Sequence, residues 1–296
     1  MRIGYPCNNL TLGVSAARTF RLAAYGPERL LATIDANLDA LDQYLAWNRE
    51  YGIRYFRISS GTIPFASHPV MDVPWQDLRA DRLAQIGATL RADGVRVNVH
   101  PGQYTLINST RPDVVAASIA ELIYHTELLD LMGLDDTNKV QIHVGGVYGD
   151  KPAAIDRFVE QWHLLPERVK ARLVIENDER HFALADTLQI HERVGLPVLF
   201  DTFHHDLKPE GIGASEALDL ACATWEGHGA PMLDYSSQDV TKRPGAHTSS
   251  IDLDDFERFL DLLGQQEADV MLEIKDKEQS ALRAMELIER RAALVA

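Results

Sequence analysis

Eight short runs rich in β-branched and aromatic residues recur along the chain, and stretches of helical periodicity separate them. They are RIGYP (2–6), IRYFRIS (53–59), VRVNVH (95–100), KVQIHV (139–144), RLVIEN (172–177), PVLFD (197–201), PMLDYS (231–236) and DVMLEI (269–274). The clearest helical patterns between them cover 27–52, 75–94, 113–133 and 250–264. Each ends on the glycine expected just past a helix C-terminus, at Gly52, Gly94, Gly133 and Gly264. Eight β-then-α units in 296 residues match the count and size of a (β/α)8 TIM barrel, an α/β fold. A doubly wound sheet is the alternative, but no G-x-G-x-x-G follows the first strand to support it. No Pro/Ser/Gly-rich linker divides the chain, so residues 1–296 are expected to form a single domain.

In such a barrel the C-terminal strand ends and the loops after them carry the chemistry, so the residues that end each run are informative. The first run leads into Tyr5, Cys7, Asn8 and Asn9, and the second into a loop containing His68. The third ends on His100, the fourth on His143, the fifth on Glu176 and the sixth on Asp201, with His204 and His205 directly after it. The seventh carries Asp234, His247 lies in the loop that follows, and the eighth ends on Glu273. A lone strand-end His or carboxylate is commonly a hydrogen-bonded rim residue. Here the third to the seventh strands each deliver one to the same level of the barrel, and the eighth adds a Glu. Carboxylates and imidazoles that converge on one mouth repel or stay unpaired unless a cation removes the cost. Mixed imidazole and carboxylate ligands suit Mn²⁺ or Zn²⁺ better than Ca²⁺ or Mg²⁺. The candidates outnumber what one ion uses, so a cluster of two or three divalent ions is expected, with Glu176 central enough to bridge. The two cysteines, Cys7 and Cys222, are too few for a cysteine cluster. His125, His163, His181, His191 and His228 fall in or beside helices and are read as packing or surface residues.

The third strand does something more. Alternation puts Val95, Val97 and Val99 on one face and Arg96, Asn98 and His100 on the other. Pro101 and Gly102 then form a turn, for which the glycine supplies the freedom, and present Gln103 and Tyr104 as an exposed tip. The loop SSQDVTKRPGAH (236–247) brings Ser236, Ser237, Gln238, Lys242 and Arg243 near the mouth, as donors for a phosphate backbone. A formal net charge of −15 opposes nucleic-acid binding, which generally uses a basic surplus. Bound divalent cations reverse that locally, and acidic outer helices such as IDLDDFERFLD account for much of the excess. No apolar run approaches the ~20 residues of a membrane span, and Met1 and Arg2 lead straight into IGYP, so a cytoplasmic protein without a membrane partner is expected.

The motifs GYPCNNLTL, SSGTIPFASHP, VNVHPGQYTLINS, QIHVGGVYGDK, VIENDE, LFDTFHH and LDYSSQ together resemble those of the UV damage endonucleases, a branch of the metal-dependent TIM barrels that also holds endonuclease IV and xylose isomerase-like enzymes. The resemblance runs from Arg2 to about Lys277, and GYPCNNLTL and HPGQYT are its most specific parts. It implies an endonuclease that nicks duplex DNA immediately 5′ to ultraviolet photoproducts, cyclobutane pyrimidine dimers and 6-4 photoproducts. A metal-activated water would attack the phosphodiester and leave a 3′-hydroxyl. Carried over position by position, the metal ligands would be His100, His143, Glu176, Asp201, His204, Asp234, His247 and Glu273, with His68 beside the cluster. Glu176, His143 and Glu273 are the residues expected to be catalytic. Gln103 and Tyr104 are similar to a wedge that enters the DNA stack opposite the lesion, and Tyr5 with Asn9 resembles the part of the pocket that receives or supports the flipped nucleotides. The resemblance further implies two or three divalent ions, Mn²⁺ ahead of Zn²⁺, and a monomer acting on UV-damaged double-stranded DNA at the nucleoid.

The chain departs from the family pattern at one place. Some relatives read K-x-H before the paired serines, with the lysine carboxylated as a metal ligand, whereas this chain reads Met232, Leu233, Asp234. Methionine cannot be carboxylated, and Asp234 keeps an oxygen where the histidine would stand. Two alternatives follow. A sugar isomerase or epimerase of the same superfamily has no evident use for a Gln-Tyr wedge, and a non-catalytic damage binder is motivated by Met232.

Overall fold

The computed structural model describes residues 1–295. Eight strands close a barrel in chain order: β1 (Ile3–Pro6), β2 (Tyr55–Ile58), β3 (Arg96–Val99), β4 (Lys139–His143), β5 (Leu173–Glu176), β6 (Val198–Asp201), β7 (Met232–Tyr235) and β8 (Asp269–Leu272). Every neighbouring pair is parallel, and β8 returns to pair with β1. The expected (β/α)8 barrel is the fold found. The strands are shorter than their sequence runs, so His100 and Glu273 stand one residue beyond β3 and β8.

The four helices read from periodicity are α1 (Pro27–Glu50), α2 (Trp75–Ala92), α3 (Pro112–Leu131) and α9 (Leu253–Leu263), and the glycines after them all take positive φ. The other helices are α4 (Lys151–Leu164), α5 (Glu167–Arg172), α6 (Leu184–Val194), α7 (Thr202–Leu207), α8 (Ala214–Ala223) and α10 (Glu278–Val295). Helices α2 and α3 approach closely at one glycine. A Cβ on Gly87 would lie 1.6 Å from the carbonyl oxygen of Met132, just past α3.

The period of two along each strand sorts its side chains into an outer and an inner set. Val97, Val99, Ile142, Ile175, Phe200, Leu233, Val270 and Leu272 join the main core, which lies between barrel and helices. Tyr55, Val174, Leu199, Met232 and Met271 form a separate apolar cluster with Trp225. These five belong to the inner set. Two residues further along the same five strands come Arg57, Glu176, Asp201, Asp234 and Glu273, again inner positions. Two residues before Met271, Asp269 takes an ion pair from Arg96 at 2.9 Å, at the opposite end of the barrel. The interior is therefore layered, with a charged base, an apolar plug containing Met232, and a charged mouth.

Candidate active site

Glu176 ends β5 beneath a cluster of imidazoles. Its Oε2 lies 3.3 Å from His100 Nε2 and 3.8 Å from His143 Nε2, and its Oε1 lies 3.2 Å from His204 Nδ1. The His100 and His143 rings are 5.1 Å apart. His100 Nδ1 donates to the carbonyl of Pro101 at 3.0 Å, which leaves the Nε2 lone pair facing the mouth. His143 Nδ1 is buried without a hydrogen-bond partner. His204 is delivered by α7, whose first turn is capped by Asp201 accepting from the His204 amide at 2.8 Å; the second oxygen of Asp201 is 3.3 Å from His204 Nδ1.

Three groups bring ligand atoms within 4.8 Å of one another: His100–His143–Glu176, Glu176–Asp201–His204 and Asp201–Asp234–Glu273. Seven of the eight expected ligands therefore converge, and Glu176 is shared by two groups as its central position suggested. In the first group His143 Nδ1 has no partner and His100 Nε2 is open; in the second, His204 Nδ1 donates to the Asn177 carbonyl at 3.0 Å, which leaves Nε2 as its ligand atom. With carboxylates nearly sealed from water, both groups fit a divalent ion held by N and O ligands.

The electrostatics of the site carry the same imprint. Burial alone raises the Glu176 carboxyl, but the charge of His143 and hydrogen bonds from His100 and His204 outweigh it and hold the group well below the usual range. Burial pushes Asp201 well above its usual value against the pull of His204, with Glu176, Asp234 and Glu273 adding to the rise. Burial likewise raises Asp234 to about 7 although Arg57 opposes it. Glu273 falls to about 2: burial raises it, but Arg57 together with His100 and His247 outweighs that. Burial disfavours the His204 cation, yet Asp201 and Glu176 lift it to about 11. Asp201, Asp234 and His204 thus favour bound protons beside the ionised Glu176 and Glu273, and a cation held there would compete with those protons.

The sequence model of the family described as UV-endonuclease UvdE matches residues 1–294. The chain belongs to this family. Among curated relatives, the UV DNA damage endonuclease of Clostridium perfringens (strain 13 / Type A) is 38% identical over 288 residues, covering 96% of this chain and 70% of that protein. The crystal structure of SacUVDE superposes with a TM-score of 0.95 at 42% identity over 99% of both chains. Endonuclease IV from Thermus thermophilus shares the fold alone, with a TM-score of 0.57 at 17% identity over 85% of this chain and 95% of that one. UvdE membership makes the protein a DNA repair endonuclease, with DNA as its substrate.

Around this UvdE centre, the remaining expected residues separate. Tyr104 is 80% exposed, and Gln103 beside it is also exposed. The turn that lifts them does not depend on glycine: Gly102 has no positive φ, and a Cβ on it would meet nothing within 4 Å. His247 joins none of the three ligand groups; its Nδ1 donates to the Glu273 carbonyl at 2.7 Å and its ring packs 5.1 Å from Phe203. His68 is also outside them. It is exposed, accepts from the Val70 amide at 3.0 Å, and lines a surface groove with Gln76 of α2 and Glu127 of α3, because the loop after β2 turns outward. Tyr5 does not open on the mouth: it is fully buried, and its hydroxyl donates to Asn48 at 2.8 Å and accepts from Asn9 at 3.1 Å. Asn9 is buried with it and caps its own loop at the Leu12 amide, 3.1 Å away. Ser236 is buried, with its hydroxyl turned to the carbonyl of Ser237 at 3.4 Å, so it is not placed to meet a backbone phosphate. Lys242 and Arg243 are exposed on the same loop, where Lys242 pairs with Asp239 at 3.1 Å.

Sequence reasoning missed Arg57 and Gln141. Arg57 donates to both oxygens of Asp234 at 2.8 Å, to Gln141 Oε1 at 2.9 Å, and to Glu273. Gln141 in turn donates to Glu176 at 2.6 Å and Asp234 at 2.7 Å. The available signal was a polar residue inside an apolar strand run, in phase with the inner set: Arg57 two after Tyr55, Gln141 two before His143.

Proposed function

We propose that the protein nicks duplex DNA immediately 5′ to ultraviolet photoproducts, cyclobutane dimers and 6-4 products, by water attack on the phosphodiester that leaves a 3′-hydroxyl. The observation that carries this reading is Glu176, buried between His100, His143, His204 and Asp201 at the mouth of the barrel. His100, His143 and Glu176 would hold one divalent ion, and Glu176, Asp201 and His204 a second, with Mn²⁺ ahead of Zn²⁺. Divalent ions bound there acidify a water and neutralise charge on the attacking and leaving oxygens. Gln141 steadies the Glu176 carboxylate, and the Pro101 carbonyl holds the His100 ring. Each ligand group is complete within one chain, which supports a monomer as the working unit. Among the described residues no helix is long and apolar enough to cross a membrane, in keeping with action in the cytoplasm at the nucleoid.

Damage recognition rests on deformability. Taking bases out of a stack costs a few kcal/mol, least where a photoproduct has already weakened pairing. Tyr104, exposed with Gln103 on the turn after His100, is suited to stack in the space that opens. Lys242 and Arg243 are available to phosphates, and the Tyr5–Asn48–Asn9 hydrogen bonds stiffen the loop after β1 from below. The test is incubation with Mn²⁺ and a duplex carrying one defined cyclobutane dimer. A nick 5′ to the dimer is expected, and Glu176→Gln should reduce it by at least about 100-fold, the scale of losing one key electrostatic group. Binding without cutting by the intact protein would favour the damage-binder reading instead, and cutting that survives Glu176→Gln would place the chemistry elsewhere.

A further inference from the structure

We propose that Arg57 takes the place of a third metal ion, so that the mouth holds two divalent ions and one guanidinium. The inference rests on the metal-centre reading above and refines it. Two members of the third ligand group, Asp201–Asp234–Glu273, already hold a cation: one terminal nitrogen of Arg57 lies 2.8 Å from each oxygen of Asp234, and the other donates to Glu273. Asp234 also accepts from Gln141 at 2.7 Å, so both of its oxygens are committed. An ion in this group would need those oxygens at about 2.0–2.2 Å. It would then press a divalent charge against a guanidinium that is only 3% exposed.

Arg57 has no easy way out. Asp234 is fully buried, and moving the guanidinium would leave that carboxylate unpaired away from water. The departure from the K-x-H pattern gives the same answer by a separate route. Met232, at the lysine position, is packed in the apolar plug with Tyr55, Val174, Leu199 and Met271 and offers no oxygen, while Asp234, at the histidine position, serves as the counter-ion of Arg57. Arg57 is on this view a positioning residue, holding Asp234 and Glu273 in register with the two-ion cluster.

The test is metal counting. Chelator-treated protein is saturated with Mn²⁺, passed through gel filtration and analysed for bound metal per chain. Two ions are expected in the unaltered protein and again in Asp234→Asn, where a counter-ion and not a ligand is lost. Three are expected in Arg57→Ala, which should also recover in Mn²⁺ the melting temperature it loses in chelator. Three ions in the unaltered protein would overturn the role of Arg57 while leaving the metal centre standing, and none or one would sink both. A count in Asp234→Asn that falls to one, or a folded Arg57→Ala that stays at two or drops lower, would also overturn the proposal. The unaltered and Asp234→Asn proteins keep it falsifiable should Arg57→Ala fail to fold.

Discussion

Burial disfavours the charge on Glu176, yet its neighbours hold it ionised, and the same opposition of desolvation and local charge recurs at the far end of the barrel. Lys139 is 1% exposed and its ammonium donates only to the Ala171 carbonyl, at 2.9 Å. Burial, helped by the nearby charge of Arg96, lowers its pKa from 10.5 to about 8. Between those values the unfolded chain binds a proton that the folded protein has released, so this residue makes stability rise with pH across that window. Urea unfolding at pH 7.5 and pH 10 should show a rise on the order of 2 kcal/mol that Lys139→Met lacks. If the two proteins change in parallel, the Lys139 ammonium is not desolvated in solution. Arg57 shows the other outcome of burial: its charge survives because Asp234 and Glu273 face it.

At the scale of elements, the short turn after His100 and the longer loop after β7 frame the mouth. The second is a stiff hairpin, with a bridge between Gln238 and His247 and backbone bonds from Asp239 to Ala246 at 2.7 Å and from Thr248 to Ser237 at 2.9 Å. Its tip exposes Val240 at 91%, next to Lys242 and Arg243. An apolar tip flanked by two cations suits contact with a groove and its phosphates. The turn bearing Gln103 and Tyr104 makes no ligand contact itself, so changing both residues to Ala should weaken binding to a dimer-containing duplex by about 10- to 100-fold, the range of one lost stacking partner. The bound metal count should not change; a fall in it would mean that the turn shapes the site at His100. On the outer ring, Gly87→Ala would drive a methyl group into the Met132 carbonyl, and calorimetry should show a loss of at least about 1–3 kcal/mol as α2 and α3 are forced apart.

Over the whole molecule, negative charge lies partly on an outer surface that water can solvate and partly in the interior, at the mouth and, as Asp269, at the base of the barrel. Asp254, Glu257 and Asp261 are exposed on α9, whereas Glu176, Asp201 and Asp234 are almost completely buried at the strand ends. Cations bound at the mouth would offset the repulsion among these carboxylates in the folded state only, so they should stabilise by mass action. Chelation is expected to lower the melting temperature by several degrees, and excess Mn²⁺ to restore it, from roughly 3 kcal/mol at a hundredfold excess over Kd. Equal melting curves with and without chelator would count against a metal centre. The net charge of −15 repels DNA, so binding should depend on cations held at the mouth and weaken when they are removed.

Local rules determined much of this protein. Strand and helix punctuation specified a (β/α)8 barrel, and strand phase placed His100, His143, Glu176, Asp201, Asp234 and Glu273 at one level, because both signals are carried by residues a few positions apart. Closure of the barrel decided the rest. Arg57 meets Gln141, Asp234 and Glu273 across separations of 84, 177 and 216 residues, distances over which no periodicity speaks. Only the folded interior shows that Tyr5 and Asn9 bond to each other below the mouth, that His68 turns outward, and that Ser236 is sealed in. The sequence by itself determined which strand-end histidines and carboxylates converge at the mouth. The tertiary structure decided which of them are free to bind a metal ion and which are already paired, because carboxylates buried as deeply as Glu176, Asp201 and Asp234 must find partners among groups that only the closed barrel brings together.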